Sequence, residues 1–268
     1  MIVFVHVPKT AGSTFQFILE NSFGIRACHT NHTKKKIFDQ DDFNFARKIF
    51  PGLRSISGHN LGDPFRLSVP DPYYITFLRE PVARVISQYQ DSVLLGGNKK
   101  SFEECLRADE TLENAHVKML AGERNLDKAR TFLERCDFVG LTEKFDLSLR
   151  LLERLSPLKL NLNYKRRRVS AVNAIKNAIL NDARILDQIR ECNRLDLELY
   201  AFATDQIFPK LCAKAGVDSS EKVTSYDRYD SEIHFKFLVF SLYNMLFYRQ
   251  LCKLRYKRQF QEGKIERM

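Results

Sequence analysis

The sequence predicts a three-layer α/β fold, with a central, mostly parallel sheet flanked by helices and a helical C-terminal extension. Residues Ile2 to Val7 hold five apolar residues in six with no alternation, as a strand covered by helices on both faces does. Residues Tyr73 to Leu78 form a second run, aromatic and β-branched, which also reads as a strand. Each run passes through a short loop into an amphipathic helix, the connection that parallel sheets require.

In the first unit, Pro8 stops the strand and Lys9-Thr10-Ala11-Gly12-Ser13-Thr14 form a loop of small and hydroxylated residues. Phe15, Ile18 and Leu19 then fall at helical spacing. A strand turning through such a loop into a helix N-terminus makes an anion site, because unpaired N–H groups and the positive end of the helix dipole converge there. Lys9 adds a full charge, so the stretch is read as a phosphate site. It is not the Walker pattern, whose lysine comes late, just before the magnesium-binding hydroxyl. PKTAGSTF instead resembles the 5′-phosphosulfate loop of sulfotransferases that use 3′-phosphoadenosine 5′-phosphosulfate (PAPS). The resemblance implies that Lys9, Thr10, Ala11, Gly12, Ser13, Thr14 and Phe15 surround the 5′-phosphate, with Lys9 also catalytic.

Residues 26–45 are polar and mixed, and their Lys34-Lys35-Lys36 run reads as a solvated face, with a rim contact to an acidic acceptor as the sharper alternative. Residues 46–50 read as helix, broken by Pro51-Gly52. Arg54-Ser55-Ile56-Ser57 reads as a short strand. Gly58 lets the backbone bend there, and His59 stands at the strand's carboxyl end, where open α/β sheets bind ligands. Imidazole titrates near neutrality and can take a hydroxyl proton. SGHNLG resembles the segment of the uronyl 2-O- and glucosaminyl 6-O-sulfotransferase-like group in which this histidine is the general base. His59 is therefore the expected base, and Asp63 the next candidate.

After the Tyr73–Leu78 strand come Arg79-Glu80, and Pro81 takes the favoured first position of a helix. Val82, Val85, Ile86, Tyr89 and Val93 form its apolar stripe, while Arg84, Ser87, Gln88 and Asp91 share the polar face. YITFLREPVARVISQYQ resembles the same family's 3′-phosphate motif. The resemblance implies that Arg79 holds that phosphate with its planar fork of donors and Ser87 adds a neutral hydrogen bond.

Residues 99–136 read as helical pieces, with Ser101 and Glu104 spaced as a capping box. Asp137 to Glu143 read as a strand and a helix start, and Leu147, Leu151 and Leu155 continue that helix. NAHVKMLAG and the stretch ending in EKFDLSLRLL extend the resemblance over about residues 2–205. Tyr164-Lys165-Arg166-Arg167-Arg168 holds the densest cationic run; the resemblance implies a late basic segment at the 3′-phosphate, represented by Arg166. Two helices are expected around 171–187 and 190–214, with Cys192, Leu195, Leu199, Phe202 and Ala203 as the second one's core stripe. A turn from Gly216 to Ser220 divides a domain at 1–220 from an extension at 221–268. Its segment Phe237 to Tyr248 is apolar nearly all round, yet twelve residues span only ~18 Å of helix, short of a bilayer. It is expected to pack on the domain or on a second protomer, with an interfacial membrane contact as the alternative.

A net charge of +10 implies anionic partners without choosing among cofactor, acidic polysaccharide, membrane and nucleic acid. No nucleic-acid reader motif accompanies the basic runs. Six cysteines without a CxxC pair indicate neither zinc nor redox chemistry, and favour a reducing compartment. With Met1 running straight into the strand and no leader pattern, the chain is expected to be cytoplasmic, with a peripheral membrane contact as the extension of that reading. The expected activity is transfer of a sulfuryl group from PAPS to a hydroxyl of a saccharide or glycolipid acceptor. It would leave adenosine 3′,5′-bisphosphate and use no metal. A P-loop kinase-like phosphoryl transferase and a non-catalytic polyanion-binding module are the alternatives.

Overall fold

The strand that opens the chain lies in the middle of the sheet. β1 (Ile2–Val5) is wholly buried and pairs in parallel with β3 (Ser55–Gly58) on one side and β4 (Tyr73–Leu78) on the other. β2 (Ala27–His29) extends the β3 side and β5 (Phe138–Leu141) the β4 side. The order is β2-β3-β1-β4-β5, with every pairing parallel. The structure, a computed structural model, describes residues 1–164, 174–221, 223–228 and 231–267. The chain winds to one side of β1 and then crosses to the other, which makes the carboxyl end of β1 the switch point where ligands bind in such sheets.

Helices cover the sheet: α1 (Gly12–Phe23), α2 (Gln40–Ile49), α3 (Pro81–Leu94), α4 (Phe102–Ala108), α5 (Ala115–Ala121), α6 (Leu126–Arg135) and α7 (Phe145–Leu155). A buried apolar cluster joins all five strands to α1, α2, α5, α6 and α7. A second cluster forms where Val85 and Ile86 of α3 meet Phe102 and Cys105 of α4. Ile179 and Ile189, from α8 (Ala174–Leu180) and α9 (Ala183–Cys192), complete it. That second layer explains Arg84, expected on the polar face of α3 but fully buried, with Nη2 donating to the Thr111 carbonyl at 2.9 Å.

Four other local expectations change. The polar stretch 26–45 contains β2, too short at three residues to show a period. α2 starts at Gln40, six residues before the expected start, because Asp39 and Asp42 form a capping box around its first turn. Lys35, read as part of a solvated run, is 7% exposed and pairs with Asp39 at 2.5 Å and Asp42 at 2.7 Å; only its neighbours Lys34 and Lys36 are exposed. From Ala174 to Ala215 the expected pair of helices is broken further. Asp182 caps α9, and α10 (Arg194–Phe202) runs through one wide turn, Ala203–Ile207, into α11 (Phe208–Ala215). α5 and α10 cap each other. Asp196 accepts from the His116 and Val117 N–H groups, and Asn114 accepts from those of Leu195 and Asp196. Burial alone would raise the Asp196 pKa, but His116 beside it and these N–H donors hold it below the usual value.

The extension is one long rod: α12 (Ser231–Tyr243), a wide turn at Asn244–Tyr248, and α13 (Arg249–Gln261). Phe240, Asn244, Tyr248, Cys252 and Tyr256 are buried at intervals of four. That spacing would drift around a regular helix, and the wide turn absorbs the excess. The rod packs on α1, where the Phe17 and Phe237 rings lie 5.1 Å apart. Asn244 Nδ2 donates to His32 Nε2 at 2.8 Å, and the Tyr256 hydroxyl bonds Asp42. Among the described residues no helix is long and apolar enough to cross a membrane.

Candidate active site

Parallel register sets the site. Val5 of β1 stands opposite Gly58 of β3 and Thr76 of β4. The residues just beyond these strand ends therefore emerge together: His6 and the loop to Ala11, then His59, then Arg79. The His6 N–H donates to the Gly58 carbonyl at 3.2 Å, and the His6 and His59 rings lie 4.1 Å apart.

The loop after β1 is held in an uncommon conformation. Lys9 (φ 69°) and Ala11 (φ 60°) both occupy the left-handed region, which non-glycine residues enter at a cost. The buried Thr10 hydroxyl donates back to the Val7 carbonyl at 2.8 Å, so it serves the loop's own turn. Ala11 is the N-cap of α1, and its carbonyl accepts from Thr14 and Phe15 N–H at 3.0 and 3.1 Å. Gly12 is required by closeness, since a Cβ there would stand 1.9 Å from the His6 ring. Ser13 is half-buried and Thr14 buried in the first turn. The Phe15 ring lies wholly in the core against Phe4 and Phe77, which confines this position's offer to a phosphate to its backbone.

The β4–α3 connection reaches the same loop. Arg79 Nη1 donates to the Lys9 carbonyl at 3.1 Å, and Lys9 Nζ forms an ion pair with Asp91 Oδ2 of α3 at 2.5 Å. Ser87, one turn before Asp91 on that helix, shares its face. Burial lowers the Arg79 pKa from its usual value, opposed by Glu143 and Glu80; a guanidinium keeps its charge through such a shift. Glu80 of the Arg-Glu-Pro segment is a helix cap, accepting from the Val82 and Ala83 N–H groups at 3.0 and 2.7 Å.

His59 is fixed at two points. Its N–H donates to Asn31 Oδ1 at 2.8 Å, and its Nδ1 lies 2.6 Å from the His6 carbonyl oxygen. A carbonyl only accepts, so Nδ1 carries the proton of the neutral ring and Nε2 carries the lone pair. The chain turns at His59 and Asn60, directly after Gly58, and does so without a left-handed glycine. Position 58 is glycine because a Cβ would stand 2.0 Å from Thr30 Oγ1 and 2.5 Å from Asn31 Oδ1. Asn31 and Asp91 are thus the site's supporting residues that sequence reasoning did not assign. Asp91 lies on the polar face of α3 that the sequence predicts, whereas Asn31 sits in a mixed polar loop with no motif around it. Asp63 is exposed and caps its own turn, accepting from the Phe65 N–H at 3.0 Å. Arg166 and the rest of the 165–168 run lie outside the described residues. Among the described residues, no three His, Cys, Asp or Glu side chains group as metal ligands would.

A model of the sulfotransferase family matches residues 1–203. The chain is similar to the heparan sulfate 2-O-sulfotransferase hst-2 of Caenorhabditis elegans, with 26% identity over 127 residues. That match covers 39% of this chain and 39% of the relative, so the chain spans about two-fifths of the length of the curated relative it matches. A crystal structure of a sulfotransferase from Alicyclobacillus acidocaldarius aligns with a TM-score of 0.41 and 13% identity. The alignment covers 72% of this chain and 95% of that one.

Proposed function

This chain belongs to the sulfotransferase family, and from that premise we propose that it transfers a sulfuryl group from PAPS to a hydroxyl of a saccharide or glycolipid. One observation carries the reading. The loop that carries Lys9 and the Arg-Glu-Pro arginine, 70 residues further on, adjoin, since Arg79 Nη1 donates to the Lys9 carbonyl at 3.1 Å.

In this reading the first turn of α1 and Lys9 receive the 5′-phosphate end of PAPS, while Arg79 and Ser87 hold the 3′-phosphate. His59 Nε2 takes the proton from the acceptor hydroxyl as its oxygen forms the new bond to sulfur. The bond from sulfur to the phosphate oxygen breaks on the opposite side, and Lys9 neutralises the charge left there. Rate enhancement then comes from positioning and from fixed charges aimed at the departing phosphate. The heparan sulfate acceptor in the relative's name supports a sugar hydroxyl, and the chain's +10 charge suits an acidic one.

The test is transfer of labelled sulfate from PAPS to a panel of glycans and glycolipids, read by mass spectrometry. Labelled product that disappears in His59→Ala supports the reading. Magnesium-dependent phosphoryl transfer from ATP, or glycan binding without transfer, would replace it.

A further inference from the structure

Eight of the twelve large apolar side chains exposed among the described residues lie on the C-terminal rod. Phe235, Leu238, Leu242, Met245, Leu246 and Phe247 are each between 44% and 70% exposed. The rod's other face holds Phe240, Tyr248, Cys252 and Tyr256 against the domain, so this apolar stripe faces outward by construction. Single exposed leucines are ordinary, whereas a contiguous apolar stripe marks a contact surface.

The charge around the stripe selects its partner. From Phe235 to Gln261 the sequence carries six cations and no acid, and Lys236, Arg249, Lys253 and Lys257 are exposed. At the start of the rod, Phe235 and Val239 share a groove with Lys236, Arg26, Arg54 and Lys159, and no acidic residue lines it. An apolar floor with four cations suits an acyl chain ending in a phosphate. A second copy of this chain suits it poorly, because a two-fold contact through this face would set like charges against each other. A membrane-spanning role is excluded for the described helices by their length and charge. We propose that this face docks the protein on an anionic phospholipid bilayer, with the apolar stripe at the acyl boundary and the cations at the phosphates.

The proposal does not depend on the sulfotransferase chemistry, and one set of measurements separates the two. The full chain is sedimented with phosphatidylcholine vesicles, with and without phosphatidylserine, at low and high salt. Expected is binding to the phosphatidylserine vesicles alone, weakened by salt. Leu242→Glu with Leu246→Glu should abolish it, and Lys253→Glu with Lys257→Glu should weaken it roughly fivefold per lost cation. All four positions are exposed, so the variants should keep the parent's melting temperature and its adenosine 3′,5′-bisphosphate affinity. The proposal is overturned if phosphatidylserine vesicles bring down no protein, or if the leucine variant binds as the parent does. A concentration-dependent dimer that the leucine variant abolishes, seen by light scattering without vesicle binding, would also overturn it and give the face to a second copy.

Discussion

Lys9 Nζ stands 2.5 Å from Asp91 Oδ2, so an ion pair already closes the loop after β1 onto α3. The carboxylate occupies the lysine that, in the proposed function, receives the 5′-phosphate. Asp91→Asn removes that competitor and should tighten adenosine 3′,5′-bisphosphate binding about two- to fivefold, the scale of a part-exposed pair. Lys9→Ala should weaken it. Isothermal titration of the three proteins checks both directions, and weaker binding by Asp91→Asn would show that the carboxylate positions Lys9 for the ligand.

His59→Ala should lower kcat by roughly 10²- to 10⁴-fold, the usual contribution of a general base, while leaving bisphosphate affinity unchanged. Asn31→Ala should lower kcat less. Asn31 accepts from the His59 N–H, and its loss leaves the proposed base's own bond, Nδ1 to the His6 carbonyl, in place. Steady-state kinetics at saturating PAPS separates these outcomes.

Gly12→Ala and Gly58→Ala should each destabilise the fold by about 1–3 kcal/mol, the cost of overpacking. A Cβ would enter the His6 ring in the first and the Thr30 and Asn31 side chains in the second. Thermal unfolding measures the loss. An unchanged melting temperature would mean that these contacts give way without cost.

Burial pushes the His32 pKa down to about 3, helped by His29 and Arg249. The native ring stays neutral and accepts from Asn244 Nδ2. Below the unfolded value near 6.5 the unfolded chain binds a proton that the native protein does not. Stability therefore falls as pH drops from about 6.5 towards 3, at most about 1.4 kcal/mol per pH unit from this group. His32→Gln keeps an acceptor for Asn244 and removes the titration. Its denaturant midpoint should fall less steeply with acid over that range.

Local chemistry decides the elements that are legible in the sequence. β4 runs over the expected Tyr73–Leu78 and β3 ends at the glycine before His59, because a buried parallel strand announces itself by composition alone. Pro81 begins α3 as expected, and Ser101 and Glu104 form the expected box. Lys35, Arg84 and Asn31 were illegible for a shared reason. Each is placed by contacts distant in the chain that the local pattern does not reveal: Arg84 by Thr111 and a second layer of helices, Asn31 by His59, and Lys35, beyond its local ion pairs with Asp39 and Asp42, by the Tyr256 ring 5.7 Å away. Glycine shows the same limit. Gly12 and Gly58 could be picked out as special, but only their neighbours across the fold show that they make room for a side chain.

Central to the account is a grip on both ends of a doubly phosphorylated adenosine by segments that follow β1 and β4. The most direct measurement is isothermal titration with adenosine 3′,5′-bisphosphate in the presence of EDTA, on the parent, Lys9→Ala and Arg79→Ala proteins. The account predicts saturable one-to-one binding by the parent that weakens sharply in both variants. Tight binding of magnesium ATP with no affinity for the bisphosphate, or a bisphosphate affinity that neither variant alters, would contradict it.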